Sequence, residues 1–411
     1  MGKGIILGID FSREYTQLAF LDEDNNPKSI AFGTEDNYLI PTAVCYNKFA
    51  QEWSSGQEAI NKSKYSGSIF CDDLTEIMLD ERRDREEVEQ IIYVYFSFLF
   101  DIASKKLEGR KIKNVVISLN QVYPTSSELL YKVLSRLGIS NDNAKIISHT
   151  ESFVYFVLNQ NKDIWINKVL YLYFDRNEFS LRKLNVVKGK KPYVADVDME
   201  SLEEVMTFRL FEYRQSQADK VLAEYMDEYL KKDVVSGIYL SGEAFYSEGW
   251  KESLEILCRN RRVFIGNNLI VKGAAYGARE LFHVPLLEDY LISCKGRTRV
   301  KVTMNLRYKE QDSKIVLSNI GEYWYNASSC TECIAVKPNI AVFEIHDVIS
   351  HSRDTFTIDI SDFPERPDKT TRMEVTFKYL EEHKFRVEIK DLGFGDFFKS
   401  SGMVVAKEIS I

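Results

Sequence analysis

The sequence predicts a duplicated α/β domain followed by an all-β sandwich. Residues 4–9 form an apolar run that ends in Asp10, and a polar turn and a second, alternating run follow, as in strand, tight turn, strand. The same order returns at Lys168–Phe174, Asp175 and 179–184. Beyond about residue 290, short runs alternate with period two between polar turns, which is typical of an antiparallel sandwich.

Composition sets the class of protein. The chain has 411 residues with 45% hydrophobic and 13% aromatic content, enough for two or three domains with large cores. The net charge is −8 and no segment concentrates Lys and Arg, so we expect no nucleic-acid partner. The longest apolar stretch, 91–100, is shorter than the roughly 18 residues that span a bilayer, and the N-terminus lacks a signal-peptide pattern. We expect a cytoplasmic protein with no membrane partner.

The six cysteines, at 45, 71, 258, 294, 330 and 333, are too scattered for a disulfide framework. Only Cys330 and Cys333 have the spacing of a metal or redox pair. No second Cys or His pair stands nearby, so ordinary thiols at the ends of strands are favoured over a metal or redox site. No histidine adjoins a Ser or Cys in a nucleophile motif, so nothing predicts a hydrolase triad.

The first half continues with elements that alternate between sheet and helix. After the hairpin we predict strands at 28–32 and 40–46, a helix at 84–106, a buried strand at 114–119, a helix at 125–137 and a strand at 145–147. The second half is predicted to carry a helix at 201–230, a strand at 237–240 and a further helix. Because ligands of such sheets bind at the carboxyl ends of the strands, Asp10 and Asp175 are expected to face each other across a cleft.

The last third is predicted to be strands alone. The period-two runs fall at 299–306, 315–325, 334–345, 355–360, 373–379 and 385–389, and the last residues stay strand-like.

These elements and their motifs resemble the seventy-kilodalton heat-shock (DnaK-type) chaperones of the actin-like ATPase superfamily, nearly end to end. Residues 8–10 (GID) resemble that family's first phosphate motif, and 40–44 (IPTAV) resemble its TPSVV strand. Residues 238–243 (IYLSGE) and 272–278 (KGAAYGA) resemble its adenosine-binding motifs. The apolar linker is matched by 285–287 (PLL), and the peptide-binding β-domain by 356–358 (FTI), 373–377 (MEVTF) and 387–391 (VEIKD).

The resemblance implies an actin-like fold with ribonuclease-H-like duplicated lobes over 1–283, lobe I about 1–166 and lobe II about 167–283. An apolar linker at 284–290 and a β-sandwich at 291–411 follow. It also implies a weak ATP or ADP site with magnesium. Asp10 and Asp175 would be the remnants of the magnesium site. The residues in contact with nucleotide would be Asp10, Ser12, Arg13, Gly242, Glu243, Gly273 and Ala274. The alternative for Gly242, Gly273 and Gly277 is that they permit close packing of helix and strand.

The departures from the family pattern concern phosphate chemistry. The family's glycine and hydroxyls after the first Asp are replaced by residues 11–14 (FSRE), so that Glu14 stands where phosphate oxygens would lie. Two like charges about 4 Å apart repel by roughly 1 kcal/mol in water and roughly 4 kcal/mol near a protein surface. Arg13 would offset this only with its side chain turned inward. The second phosphate motif, 175–179, lacks glycine, an acid at 72–73 replaces the family's lysine, and residues 149–151 (HTE) replace its Glu-Pro-Thr.

We therefore expect a divergent heat-shock-type chaperone or peptide-binding protein with weakened ATP binding and lost or very weak hydrolysis. Beyond Asp10 and Asp175 as remnants of the magnesium site, no residue is assigned a catalytic role or a metal-ligand role. The expected partner is an extended peptide or unfolded segment, held without a helical lid, or one folded protein docked on the sandwich. The rival interpretations are a scaffold or assembly protein that keeps the fold as an interaction platform, and a weak but active ATPase.

Overall fold

The structure is a computed structural model that describes residues 4–33, 37–189, 191–309, 311–336, 340–347 and 349–411. It divides into two compact units, Met1–Tyr290 and Leu291–Ile411. No helix among the described residues is both long and apolar enough to cross a bilayer.

The first half of unit 1, called lobe I, is built on a main sheet of six strands, five of them in one continuous order and a short sixth, Ile40–Pro41, paired with Tyr15–Leu21. Its strands are β1 Ile5–Phe11, β2 Tyr15–Leu21, β3 Pro27–Ser29, β4 Ile40–Pro41, β5 Val44–Asn47, β6 Glu52–Ser55, β7 Ser68–Cys71, β8 Ile112–Leu119 and β9 Ala144–Ser148. Its helices are α1 Gln57–Lys62, α2 Leu74–Ile77, α3 Arg85–Lys106, α4 Pro124–Arg136 and α5 His149–Leu158. The main sheet has the order β3-β2-β1-β8-β9, with β1 antiparallel to β2 and parallel to β8.

The second half, called lobe II, repeats this sheet. Its strands are β10 Lys168–Phe174, β11 Phe179–Val187, β12 Tyr193–Ser201, β13 Val235–Ser241 and β14 Arg262–Ile265, and its helices are α6 Phe208–Tyr213, α7 Gln215–Leu230, α8 Glu252–Cys258 and α9 Leu269–Phe282. The order is β12-β11-β10-β13-β14, and β10 is antiparallel to β11 and parallel to β13. The two sheets therefore share strand order and direction. Assignment of this arrangement to the actin-like ATPases stays a prediction.

Two helices cross between the lobes. Helix α5 follows lobe I in the chain, yet its Phe153 stacks on Tyr171 of β10 with ring centroids 5.3 Å apart. Helix α9 follows lobe II, yet its backbone lies against β1, where a Cβ on Gly8 would come within 2.5 Å of the Ala275 nitrogen. Each lobe therefore packs one helix against the sheet of the other lobe. These two helices hold the sheets together across the boundary expected near residue 166.

The charged ends of α3 explain where this long helix starts and stops. Asp84 accepts a hydrogen bond from the Glu86 amide at 2.7 Å, and Lys105 and Lys106 lie in the last turn, where the helix dipole favours cations. Its middle carries the aromatic residues that bury Phe11, whose ring lies 5.1 Å from that of Phe96. Phe11 therefore points into the core, and its neighbour Asp10 points the other way, as alternation along a strand requires.

The helix predicted at 201–230 begins too early and is interrupted. Ser201 ends the strand β12, the first helix begins only at Phe208, and the helical part is split into α6 and α7 at Arg214, whose φ of −144° is not helical. Strand β12, which the sequence analysis did not predict, pairs with β11 along eight residues.

Unit 2 is a sandwich of two four-stranded sheets. The strand β15 Tyr290–Ser293 begins at its border, and β16 Val300–Tyr308, β17 Gln311–Ser318, β18 Ser328–Ala335, β19 Ile340–Asp347, β20 Arg353–Asp359, β21 Thr371–Glu381, β22 Lys384–Gly393 and β23 Val404–Ser410 follow. The sheet orders are β17-β16-β19-β20 and β18-β21-β22-β23. Phe343, Phe356, Phe377 and Phe385 meet in the core between them.

Two of the predicted strands differ from the observed ones. The run 315–325 ends as a strand at Ser318, because a turn with Gly321 at φ +79° follows. The run 334–345 is two strands, and its residues 337–339 lie outside the described residues. Cys330 and Cys333 lie on opposite faces of β18, since Cys330 is exposed while Cys333 packs on the core. This geometry fits the ordinary-thiol interpretation rather than a shared ligand.

A buried ion pair fixes one end of the sandwich. Arg366 donates to both carboxylate oxygens of Asp391 at 2.6 and 2.8 Å, and Asp391 also accepts from the Ser401 amide at 2.8 Å. Both side chains are at least 96% buried. The hydrogen bonds from Arg366 hold the pKa of Asp391 far below its usual range.

Asp391→Asn should lower the free energy of unfolding of the sandwich by about 3 kcal/mol at pH 7, because it leaves Arg366 buried without a counter-charge. A carboxylate with a lowered native pKa stabilises the fold above its unfolded pKa of about 3.9 and loses that effect as pH falls through the native value. The difference between variant and wild type should therefore shrink below about pH 4. Hydrogen exchange of β21 and β22 in the full chain measures it.

Glu344→Gln is the matched control, since Glu344 forms an exposed pair with Lys314 in the same sandwich. Its effect should stay below about 1 kcal/mol. Equal effects of the two substitutions, or an Asp391→Asn effect independent of pH, would contradict the prediction.

Candidate functional site

A cavity of about 980 Å³ opens in unit 1 where the carboxyl ends of β1 and β8 meet those of β10 and β13. We call it the interlobe cavity. Two turns border it, loop A at residues 12–14 after β1 and loop B at residues 175–178 after β10. Its wall includes Asp10, Gln17, Asn120, Tyr123, His149, Tyr171, Tyr173, Arg182, Ser241, Gly242, Glu243, Tyr246 and Asn267. Asp10 and Asp175 thus line one cavity from opposite lobes.

Asp10 is held at the end of β1 by neighbours from its own lobe. Ser12 Oγ donates to Asp10 Oδ1 at 2.7 Å. The Nε2 atom of His149, the first residue of α5, lies 3.0 Å from the same oxygen. His149 stands where the resembled family has the glutamate of its Glu-Pro-Thr segment. An imidazole therefore contacts Asp10 at that position.

The basic side chain of loop A pairs with an acid other than Glu14. Arg13 Nη2 pairs with Asp73 Oδ2 at 2.6 Å, and Asp73 caps α2 by accepting from the Glu76 amide. Glu14 Oε1 instead accepts a hydrogen bond from Asn177 Nδ2 of loop B at 2.9 Å. The carboxylate of Glu14 therefore joins the two loops across the interlobe cavity, and Arg13 does not offset its charge.

Loop B is closed around its own aspartate. Asp175 Oδ1 accepts from the amides of Asn177 and Glu178 at 2.8 and 2.9 Å, and Oδ2 accepts from the Tyr173 hydroxyl. Burial raises the pKa of Asp175 despite these hydrogen bonds. The amides that would face a phosphate in a glycine-rich loop are here bound to a side chain.

A second bridge crosses the cavity at Glu178. Its Oε2 accepts from Asn120 Nδ2 of lobe I at 3.0 Å, and its Oε1 pairs with Arg182 Nη2 at 3.1 Å. Arg182 is 2% exposed and its guanidinium lies 5.4 Å from the Tyr171 ring centroid. Burial raises the pKa of Glu178, but the charge of Arg182, the hydrogen bonds from Ser180 and Arg182 and the nearby His149 together outweigh burial, so the pKa lies below its usual value.

The cavity-wall residues that match the first adenosine motif, Gly242 and Glu243, also bind other protein groups. Glu243 forms two hydrogen bonds with Arg176 of loop B at 3.1 and 3.2 Å. Gly242 has φ +101°, and a Cβ there would lie 2.3 Å from the Phe174 carbonyl oxygen. Its amide donates to Asn267 Oδ1 at 3.0 Å. The close approach to Phe174 accounts for this glycine without a ligand.

The second adenosine motif lies on α9, against α5. A Cβ on Gly273 would come within 2.0 Å of the Ser152 carbonyl oxygen, and one on Gly277 within 2.8 Å of the Tyr155 ring. Ala274 is fully buried. The packing alternative therefore accounts for Gly273 and Gly277, and these residues serve the crossing of the two helices.

These contacts do not fit ATP with magnesium. The described residues contain no group of three His, Cys, Asp or Glu side chains that could hold a metal ion. Asp10, one of the two acids expected to hold magnesium, contacts Ser12 and His149. The other, Asp175, binds the Tyr173 hydroxyl and backbone amides of loop B. Glu14 adds a carboxylate beside the position expected for phosphate.

Sequence reasoning missed much of this wall, namely Gln17, Asn120, Tyr173, Asn177, Glu178 and Arg182. The signal for Arg182 was its place in β11, two residues after Ser180 on the face opposite Leu181. Its ion-pair partner Glu178 lies only four residues away, whereas Asn120 lies in lobe I, so spacing alone could not reveal the cross-lobe part of the network.

The comparisons with known proteins find family models over nearly the whole chain. A model described as the C-terminal part of a family of unknown function (DUF5716) matches residues 26–295, more than half of the chain. The chain belongs to the DUF5716 family. A second model, a domain of unknown function (DUF8552), matches residues 297–411 of this DUF5716 member. The two matches meet close to the border between units 1 and 2. The comparison with curated proteins finds no match.

Glu14→Gln should tighten ATP binding by about 1–4 kcal/mol, because it removes the carboxylate while a glutamine oxygen still accepts from Asn177. Asn177→Ala is the matched control, since it breaks the same hydrogen bond and keeps the charge. Isothermal titration with ATP and with adenosine measures both. Adenosine affinity should be unchanged by Glu14→Gln; equal gains for both ligands, or for both variants, would mean that charge repulsion by Glu14 is not the cause.

Proposed function

We propose that this chain is a divergent heat-shock-type chaperone or peptide-binding protein whose ATPase-type unit binds nucleotide weakly and does not hydrolyse it. The observation that carries the proposal is the hydrogen bond from Asn177 to Glu14. It places a carboxylate between two loops that, in the resembled family, close around phosphate.

Loss of turnover follows from how phosphoryl transfer is catalysed. Such catalysis depends on positioning and on neutralising charge at the phosphoryl oxygens, usually with a metal ion and free backbone amides. Here the amides of loop B bind Asp175, and the nearby cations Arg13, Arg176 and Arg182 are each paired with carboxylates. Few groups remain to stabilise a transferring phosphoryl group.

The binding role is proposed for unit 2. Its two sheets present edge strands β17, β20, β18 and β23, and an extended peptide adds to such an edge by main-chain hydrogen bonds. Exposed apolar side chains, among them Ile334, Val336 and Ile340, lie close to the ends of β18 and β19. The scaffold alternative uses the same sandwich to dock one folded partner. We also propose a cytoplasmic location. The six cysteines form no disulfide in the part of the chain that the structure describes, as is usual in a reducing compartment.

Magnesium-dependent phosphate release from ATP should be no faster for the wild type than for Asp10→Ala, because no metal-centred chemistry depends on Asp10. A sensitive phosphate-release assay on both proteins, purified in parallel, makes the comparison. Release by the wild type that disappears in Asp10→Ala would overturn the proposal in favour of a weak but active ATPase.

The chaperone and scaffold alternatives separate on peptide binding. The full chain should bind at least some members of a panel of extended apolar peptides, with affinity differences mainly in dissociation rates. Fluorescence anisotropy with labelled peptides gives both rates. Uniform absence of binding by a chain that circular dichroism shows to be folded would remove the chaperone proposal and leave the scaffold.

A further inference from the structure

The side chain of Gln17, at the wall of the interlobe cavity, is left with an unmet hydrogen-bond acceptor. Gln17 is 6% exposed, and its Nε2 donates to the carbonyl of Asn267 at 2.7 Å, so its carboxamide lies at the cavity wall. Its Oε1 has no hydrogen-bond partner among the described residues. A buried acceptor without a partner is costly, and a bound ligand that donates a proton would satisfy it.

A second acceptor in the cavity wall is Asp10, the cross-strand neighbour of Gln17. Asp10 and Gln17 are opposite each other in the β1–β2 register, and side chains opposite each other in an antiparallel pair have Cβ atoms about 5 Å apart. Both known contacts of Asp10, with Ser12 and His149, are made by its Oδ1. Asp10 and Gln17 thus form a pair of neighbouring acceptors, one of them charged.

The charge of the cavity wall favours a cation. Among the described residues that line it, six carboxylates stand against three arginines: Asp10, Glu14, Glu76, Asp175, Glu178 and Glu243 against Arg13, Arg176 and Arg182. Each arginine is already ion-paired. A phosphate would add negative charge to this wall, whereas an ammonium or guanidinium group would reduce the excess.

Aromatic side chains complete the wall. Tyr171 and Tyr173 from β10, with Tyr123 and Tyr246, line the same cavity. Tyrosine rings attract organic cations through their π faces and also pack on an apolar stem. Metal ions are a poorer match, because the described residues offer no cluster of three metal-ligating side chains.

We propose that the interlobe cavity is a binding site for a small organic cation, whose ammonium or guanidinium group donates to Asp10 and to Gln17 Oε1. Ammonium and guanidinium groups carry only donors, which suits this pair of acceptors. The inference rests on the proposed function in one respect, that phosphate does not occupy the cavity. It adds the chemical class of the ligand.

The test is isothermal titration of the full chain with agmatine, tyramine and spermidine, alongside adenosine, ATP and magnesium chloride. At least one amine should bind more tightly than adenosine and ATP, and its affinity should fall about 10- to 100-fold in Asp10→Asn, which removes a charge-assisted hydrogen bond. Gln17→Met, which keeps the length of the side chain and removes the acceptor, should weaken the same amine several-fold. Glu255→Gln, on the exposed face of α8, should leave it unchanged.

Several results would overturn the inference. These are failure of all three amines to bind, equal binding of an amine by Asp10→Asn and the wild type, or equal competition by magnesium. If Asp10→Asn does not fold, Gln17→Met alone decides, and unchanged amine affinity there is again a contradiction. ATP turnover would refute the proposed function by its own assay, whereas absent amine binding without ATP turnover refutes only this inference.

Discussion

The architecture of unit 1 depends on one close crossing of helices. At Gly273 the backbone of α9 approaches the Ser152 carbonyl so closely that a Cβ would lie 2.0 Å from it, and at Gly8 the strand β1 meets the same helix. Since α5 packs on the sheet of lobe II and α9 on that of lobe I, this crossing joins the sheets below the ends of β1 and β10. The interlobe cavity lies where those strand ends meet.

Above the crossing, polar side chains join the lobes. Glu14 binds Asn177, Glu178 binds Asn120, and Gln17 binds the Asn267 carbonyl. Each bond joins a residue of lobe I to a residue of lobe II. The wall between them is rich in carboxylates, whose negative charge repels phosphate and attracts cations.

The sequence was most informative where local periodicity decides structure. Strand β10 and helix α3 agree with the predicted ranges within a residue, because buried alternation and the Asp84 cap are local signals. The break at Arg214 and the strand β12 were missed, since the apolar pattern there fits helix and strand alike. At the site, Asp10 and Asp175 were predicted from their place after buried strands. The contact of Asp10 with His149 and the hydrogen bond of Glu178 with Asn120 join separate elements, which spacing does not encode. Tyr173 and Arg182 were missed although they lie only two and four residues from their partners Asp175 and Glu178.

Loops A and B are held together by protein contacts. Amide hydrogen exchange of the full chain, followed by mass spectrometry with and without saturating ATP and magnesium, tests most directly whether these contacts suffice. Peptides covering residues 10–17 and 173–180 should exchange at the same rate in both conditions. Strong protection of both segments by ATP with magnesium, but not by adenosine, would mean that nucleotide holds the loops instead.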